Sequence, residues 1–564
     1  GGLLGAGGLL GAGGLLLAGG LLAPAGAVQA GEVAHPPQVE AALQEAGQNR
    51  EQLERFLAHA ATQDAQWLEA ARFLVANMPG KGYIVTALKD AKGTLLEYDP
   101  LAYPDFERAL QAYEALEKQH GTIDFARDHI VLDLETLTAA FLVEHVEAAL
   151  ATWRATPEAR RVSFPTFLEY VLPYRGSEEP AEPWMKAMRE RFGATPAVGG
   201  DLADPDVVWR FANADVGTRI TFNERYYLHP TDQGYAEMSR SKQGRCEDMT
   251  NLTTYAARAL GLATAADYTP WWAHSDNNHA WNVLLDAQGR GRDLAQAHAA
   301  KVFRKTFSLQ RDSLPFLLPP GREAPTRFLA SKACIDVTDQ YGPTSDVSVL
   351  LDPAVAWAER FAYLCVFNGG EWKPIHWAAP GQVRDGPLAV FTNMGRGGAR
   401  GILYLPAVHD GKDVKAAAAP LLLHPDGSLT RLPGTGEPTA AWLADTSPPQ
   451  ASPDTHEVKP ALHLEAGTTY VLSQWTAAGW KELREVPVTG TEAVEVQGLP
   501  RDGLFWLRPR ESRKLERLDE AAGRLGADPA RVHVTGLSMG GMGAWWLGLL
   551  APERFASVVP VCGL

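Results

Sequence analysis

Apolar residues between 38 and 155 recur every three to four positions. Leu53, Phe56, Leu57 and Ala60 make one such stripe, and Trp67, Ala71 and Leu74 continue it until Pro79-Gly80 stops the helix. A second run carries Phe106, Leu110 and Tyr113, and a third carries Leu134, Leu137, Phe141 and His145. The pattern predicts a helical domain over 38–200. Its last part, 156–200, is rich in Pro and Gly and is expected to be irregular apart from one short helix near Trp184. His145 lies on an apolar stripe and is expected to be a satisfied core histidine, not a ligand.

From 208 to 305 the pattern alternates between helix and strand. Beyond about 330 it changes to short alternating runs between Gly, Pro and Asp turns, which predicts β-sandwich modules over 330–410 and 461–508. Between them, 411–460 carries "GTGEP" and "TSPPQASPD" and is expected to be a linker or long loop. Tyr363 leads through a turn to "WKPI" at Trp372, and Tyr470 leads through a turn to "WKEL" at Trp480. Both read as a hairpin with an aromatic residue on each arm, a degenerate repeat. The last segment, 515–564, returns to an αβα pattern.

At 564 residues the chain is too long for one core, and its length suggests three to five domains. A formal charge of −15 argues against a nucleic-acid partner, which would require a basic face. The cysteines Cys246, Cys334, Cys365 and Cys562 are too sparse for a disulfide framework, and Cys334 and Cys365 are expected to be reduced and buried. Residues 1–30 form a Gly/Leu/Ala run ending in Val28-Gln29-Ala30, the small-residue spacing of a signal-peptidase site. The expectation is an export signal and a secreted or periplasmic protein, with a low-complexity tail as the alternative. No other stretch reaches the ~18–20 apolar residues that span a bilayer, so no transmembrane segment is expected in the mature chain.

The chemistry concentrates between 243 and 293. Cys246 follows Gly244-Arg245 and opens an amphipathic helix whose stripe is Met249, Leu252, Ala256 and Ala259-Leu260, with Gly261 as its stop. A thiol at a helix N-terminus meets the positive end of the dipole, which favours thiolate; Glu247 and Asp248 partly oppose it. His279, Trp281, Val283 and Leu285 then alternate along a strand, "DAQG" supplies a turn, and the return strand carries Asp293. A His279–Asp293 pairing centres that turn on Asp286. Cysteine, histidine and aspartate at spacings of 33 and 14 residues suit a nucleophile, its base and the carboxylate that orients the base. A metal site at His274, His279 and His298 is the weaker rival, because their spacing matches no ligand pattern. No metal or cofactor is expected.

The segments "GRCEDMTNL…YAARALG", "DYTPWWAHSDNNHAWNVLLD" and "KVFRKTF" resemble secreted bacterial transglutaminase-like proteins. The resemblance extends over most of 38–508, including "FLEYVLPYR" and "AYLCVFNGGEWKPIHW". It implies a papain-like core over 208–305 with a Cys246–His279–Asp293 site. "GRGR" precedes Asp293 where many such cores have Trp. The fold class expected is therefore multidomain α+β: helical N-terminal region, papain-like transglutaminase core, β-sandwich modules and a C-terminal piece. The implied activity is a cysteine amide hydrolase or acyl transferase acting on peptide or carboxamide substrates, with peptidase or amidase chemistry favoured over crosslinking. Gln233 and Gln243 are candidate oxyanion donors beside the Cys246 N–H, and Trp271, Trp272 and Trp281 candidate walls of the acyl site. An inactive scaffold whose β modules contact polysaccharide or protein is the alternative binding reading.

A second motif lies near the C-terminus. Gly536-Leu537-Ser538-Met539-Gly540 fits a nucleophile elbow, and its surroundings resemble the esterase or peptidase branch of the α/β-hydrolases. In that fold the acid and base follow the serine, and no such pair follows Ser538 in this sequence. The expectation is a partial hydrolase fragment with Ser538 catalytically silent; a serine esterase is the alternative enzyme.

Overall fold

The structure is a computed structural model. It describes the chain except residues 1–33, 194–199, 230–231, 275–277, 293, 295–297, 357–359, 399–400, 444–463, 465, 491–493, 511–532, 538–556 and 562–564. Helices and many antiparallel sheets are mixed along it, in several modules.

The N-terminal helices Pro37–Glu45, Arg50–Ala61, Ala65–Ala76 and Ala139–Ala155 bury the stripes expected of them: Leu53, Phe56, Trp67, Leu74, Leu142 and Val146 share one core. Asp64 caps the third of these helices, accepting the Trp67 N–H at 2.9 Å. His145 is buried and its Nε2 lies 2.6 Å from Leu172 O, so it serves the core, and burial lowers its pKa to about 4.

Two readings of this region need correction. Residues 38–155 are not uniformly helical, because Gly82–Asp90 and Ile123–Leu132 pair as antiparallel strands around the helix Phe106–His120. The β-branched run Ile84-Val85-Thr86 and the Asp90-to-Thr94 turn were the signals for it. The stretch 156–200 holds two helices, Phe164–Tyr170 and Trp184–Phe192, the first started by Ser163 and Pro165.

The central region carries the helix Cys246–Ala259, here α1, and a four-stranded sheet. Its strands are β1 (Thr264–Thr269), β2 (His279–Leu284), β3 (Phe303–Lys305) and β4 (Cys334–Asp336), antiparallel in the order β2-β1-β3-β4. α1 is anchored deeply. Tyr255 stacks on Trp184 at 4.4 Å between centroids, and the buried Arg258 donates to the carbonyls of Tyr170 and Pro173 at 3.0 and 2.9 Å. Glu179, also buried, accepts from Gly176, Ser177 and Asn251 and from the Tyr255 hydroxyl.

Downstream, two antiparallel sheets share a core of Val347, Leu364, Val366, Ile375, Phe391 and Tyr404. The expected linker 411–460 is partly sheet: Val414–Ala416, Leu421–Leu423, Leu429–Arg431 and Pro438–Leu443 are strands, and the Gly/Pro signals mark the turns between them. The two look-alike segments are both hairpins, Ala362–Asn368 with Glu371–Ala378 and Thr469–Thr476 with Gly479–Pro487. Phe367 faces Trp372 in one and Trp475 faces Trp480 in the other, and the aromatic ends pack together. Near the C-terminus His533–Leu537 pairs in parallel with Ser557–Val561. Ser538 and Cys562 lie outside the described residues.

Candidate functional site

α1 begins at an exposed Cys246 with Arg245 as its N-cap. The Leu262 N–H returns to Ala257 O and the Leu285 N–H to Ala263 O, both at 2.9 Å, so β1 leaves the far end of the helix and runs back along it. A strand of six residues covers about 17 Å and a helix of fourteen about 20 Å, which brings Thr269 level with the helix start. His279 is the partner of Thr269 across the sheet. Asn282 fixes the same level independently, its Nδ2 donating to Thr254 Oγ1 at 3.0 Å and Thr250 O at 3.3 Å. Three residues of strand back to His279 cover about 10 Å. The helix from Thr250 or Thr254 back to Cys246 covers about 6–12 Å. The thiol-bearing end of α1 and the imidazole-bearing end of β2 therefore occupy the same end of the core.

The His279 ring is half-buried and near two indoles. Trp281 lies 5.4 Å away at 30° and Trp272 6.4 Å away at 27°. Trp272 stacks on His298 by its ring at 4.7 Å. Trp271 meets Phe328 edge-on at 5.4 Å and lies under Lys373, and it packs against the core of the β modules. His274 faces Gly401 O at 2.9 Å.

Trp281 is held from behind by a buried network. Its Nε1 donates to Tyr341 Oη at 2.8 Å, and that hydroxyl donates to Asp267 Oδ2 at 2.8 Å. Arg304 closes the network with two 2.8 Å bonds to the same carboxylate, and both members of the pair are fully buried. Burial, then the Asp267 charge, pushes the Tyr341 phenol well above its usual range. An Asp inside the apolar strand "TAADYT" is costly unless paired, and that was the signal that could have located Asp267 and a buried cationic partner.

The β2 turn differs from expectation. Leu285 bridges Gly291, so the turn centres on Gln288 and Asp286 opens it, its Oδ1 accepting from Gln288 and Arg290 N–H at 2.9 and 2.8 Å. Gly289 takes the left-handed position at φ 80°. Asp293 itself lies outside the described residues.

Gln233 is also not where an oxyanion donor would sit. It is fully buried beneath the start of α1, its Nε2 donating to Gln243 O at 2.8 Å and Asp248 Oδ2 at 3.1 Å while its Oε1 accepts from Ser241 at 2.9 Å. Its amide is committed to the interior. The Gln243 Oε1 accepts from Asn223. Arg245, next to Cys246, is tied to Asp232, and burial raises that carboxyl to about 6 while the Arg245 charge pulls it back. Among the other described cysteines, burial pushes up both the Cys334 and Cys365 thiols, which makes them poor nucleophiles.

Residues 207–290 match the transglutaminase-like superfamily, which covers cysteine-dependent hydrolases and acyltransferases in general. A search of curated proteins finds no match to the chain. The matched segment contains Cys246, His279, α1, β1 and most of the β2 turn. Among the described residues no helix is long and apolar enough to cross a membrane.

Proposed function

We propose that the chain is a cysteine-dependent amide hydrolase or acyl transferase, exported from the cell, acting on peptide or carboxamide substrates. What supports this reading is that the exposed thiol at the start of α1 and the imidazole at the start of β2 fall at the same end of the core by the element lengths above, within the segment that matches the superfamily. Cys246 Sγ attacks the carbonyl carbon and its proton passes to His279. The carbon–oxygen double bond opens to an oxyanion, for which the Cys246 N–H at the helix start is the proposed donor. On collapse, the carbon–nitrogen bond breaks and His279 protonates the leaving amine, leaving a thioester. Water then attacks that thioester with His279 as base, releasing the acid and the thiol; an amine in place of water gives transfer. Asp293 is the proposed orienter of the imidazole, and the Trp272 and Trp281 rings lie near the base at 6.4 and 5.4 Å. Hydrolysis is favoured over crosslinking on the resemblance alone.

The test is to incubate the protein with a library of short glutamine-containing peptides and activated peptide esters, then to map any acyl adduct by mass spectrometry. The reading expects a thioester at Cys246 that is lost in Cys246→Ala. Adducts at another residue, or adducts unaffected by that substitution, would refute it.

A further inference from the structure

We propose that Gln233 and Asp248 form a buried clamp that orders the first turn of α1 and so aims the Cys246 peptide, making both of them positioning residues for acyl transfer. The proposal rests on the cysteine-hydrolase reading above for its catalytic consequence, and on the geometry for the clamp itself.

Asp248 is 1% exposed and Gln233 is 0% exposed. The carboxylate takes the Arg245 N–H at 2.8 Å and the Gln233 N–H at 3.2 Å, one on each oxygen, with Gln233 Nε2 added at 3.1 Å. Gln233 then reaches the turn before the helix through Gln243 O, and accepts from Ser241. Two side chains thus bind three pieces of chain: the segment at 233, the turn at 241–244 and the helix start. Gly244 is fitted to them. A Cβ there would lie 2.7 Å from Asp248 Cβ and 2.9 Å from Gln233 Nε2, closer than real contacts allow.

A buried carboxylate two residues from Cys246 is an expensive choice. Burial pushes the Asp248 carboxyl up, the hydrogen bonds from Arg245 and Gln233 only partly holding it down. A plain N-cap could be supplied by an exposed Ser, Thr or Asp at position 245, where this chain has Arg. What the buried arrangement adds is direction. With the Arg245 N–H turned inward to Asp248, the following peptide, that of Cys246, is fixed at the mouth of the helix beside the thiol.

Electrostatics and positioning predict opposite results for Asp248→Asn, which removes the charge and replaces one acceptor by a donor. If the residue acts only through its charge, alkylation of Cys246 by iodoacetamide at about pH 6 and turnover should rise together. The clamp predicts that alkylation holds or rises while kcat falls on the order of 10²-fold, the loss typical of one oxyanion donor, with KM little changed. Gly244→Ala, which leaves the charge alone, should show the same split. In both variants amide hydrogen exchange over 243–249 should rise while the melting temperature shows the chain still folded. Turnover that keeps pace with alkylation, or exchange that does not change, overturns the clamp. If the unsubstituted protein forms no acyl adduct, the hydrolase reading fails. Exchange over 243–249 then decides the clamp alone, a rise keeping it and no rise ending it.

Discussion

The region around the candidate site and the joint between the β modules bury polar and aromatic groups in opposite ways. Near the site, nearly every buried polar group is wired to a partner: Asp267 to Arg304 and Tyr341, Asp133 to Arg175 and Tyr174, Glu179 to Tyr255 and Asn251, and Asp248 to Gln233. At the joint, Phe367, Trp372, Trp475, Trp480 and Trp506 meet edge to face or tilted at 5.2–5.5 Å, and the buried indole nitrogens of Trp372 and Trp480 make no hydrogen bond within the described residues. Hydrogen bonds fix angles, whereas ring contacts mostly supply area. The site half is built to hold directions, and the joint to hold two bodies together.

The largest effects should fall on the chemistry. Cys246→Ala should abolish turnover, and His279→Gln should lower it by about 10²–10⁴-fold. Neither should shift the urea midpoint by much, because the thiol is exposed and the imidazole only half-buried. A large midpoint shift would mean that these residues serve the core. Asp267→Asn leaves Arg304 buried without its counter-charge and should cost about 3–5 kcal/mol in urea unfolding. A cost under about 1 kcal/mol would remove the contrast between wired and unwired regions.

Acid should act through His145. Its folded pKa of about 4 lies below the usual 6.5 of a free imidazole, so the unfolded chain takes the proton first as pH falls. Stability should therefore drop between about pH 6.5 and 4 by about 3 kcal/mol from this residue, and His145→Gln should flatten that limb. Smallest is Trp480→Leu, expected to cost about 1–2 kcal/mol and to loosen the C-terminal module toward proteolysis without changing kcat. A loss of kcat there would join the two regions that the comparison separates.

Much of this was legible because it is periodic. The stripes of the N-terminal helices, the amphipathic α1 with Gly261 past its end, and the strand beginning at His279 all follow from spacing. The hairpin repeat was legible from its aromatic residues, although the facing pairs are Phe367–Trp372 and Trp475–Trp480 rather than the tyrosines that lead into them. What spacing could not give was register and partnership. One residue decides where a turn centres, and Asp286 opens the β2 turn instead of centring it. Gln233 suits a donor role by residue type, but its buried partner Asp248, in sequence only a first-turn acid, claims its amide. The strands at 82–132 were hidden among helical stripes of similar length.

The central claim is that Cys246 and His279 act as a pair. Iodoacetamide labelling across about pH 5–9 tests it, with peptide mapping to resolve Cys246 from Cys334 and Cys365, for the unsubstituted chain and for His279→Gln. The paired account predicts that Cys246 labels before Cys334 and Cys365, and that His279→Gln slows its labelling on the order of tenfold near pH 6. Identical profiles in the two proteins, or faster labelling of Cys334 or Cys365, would contradict it.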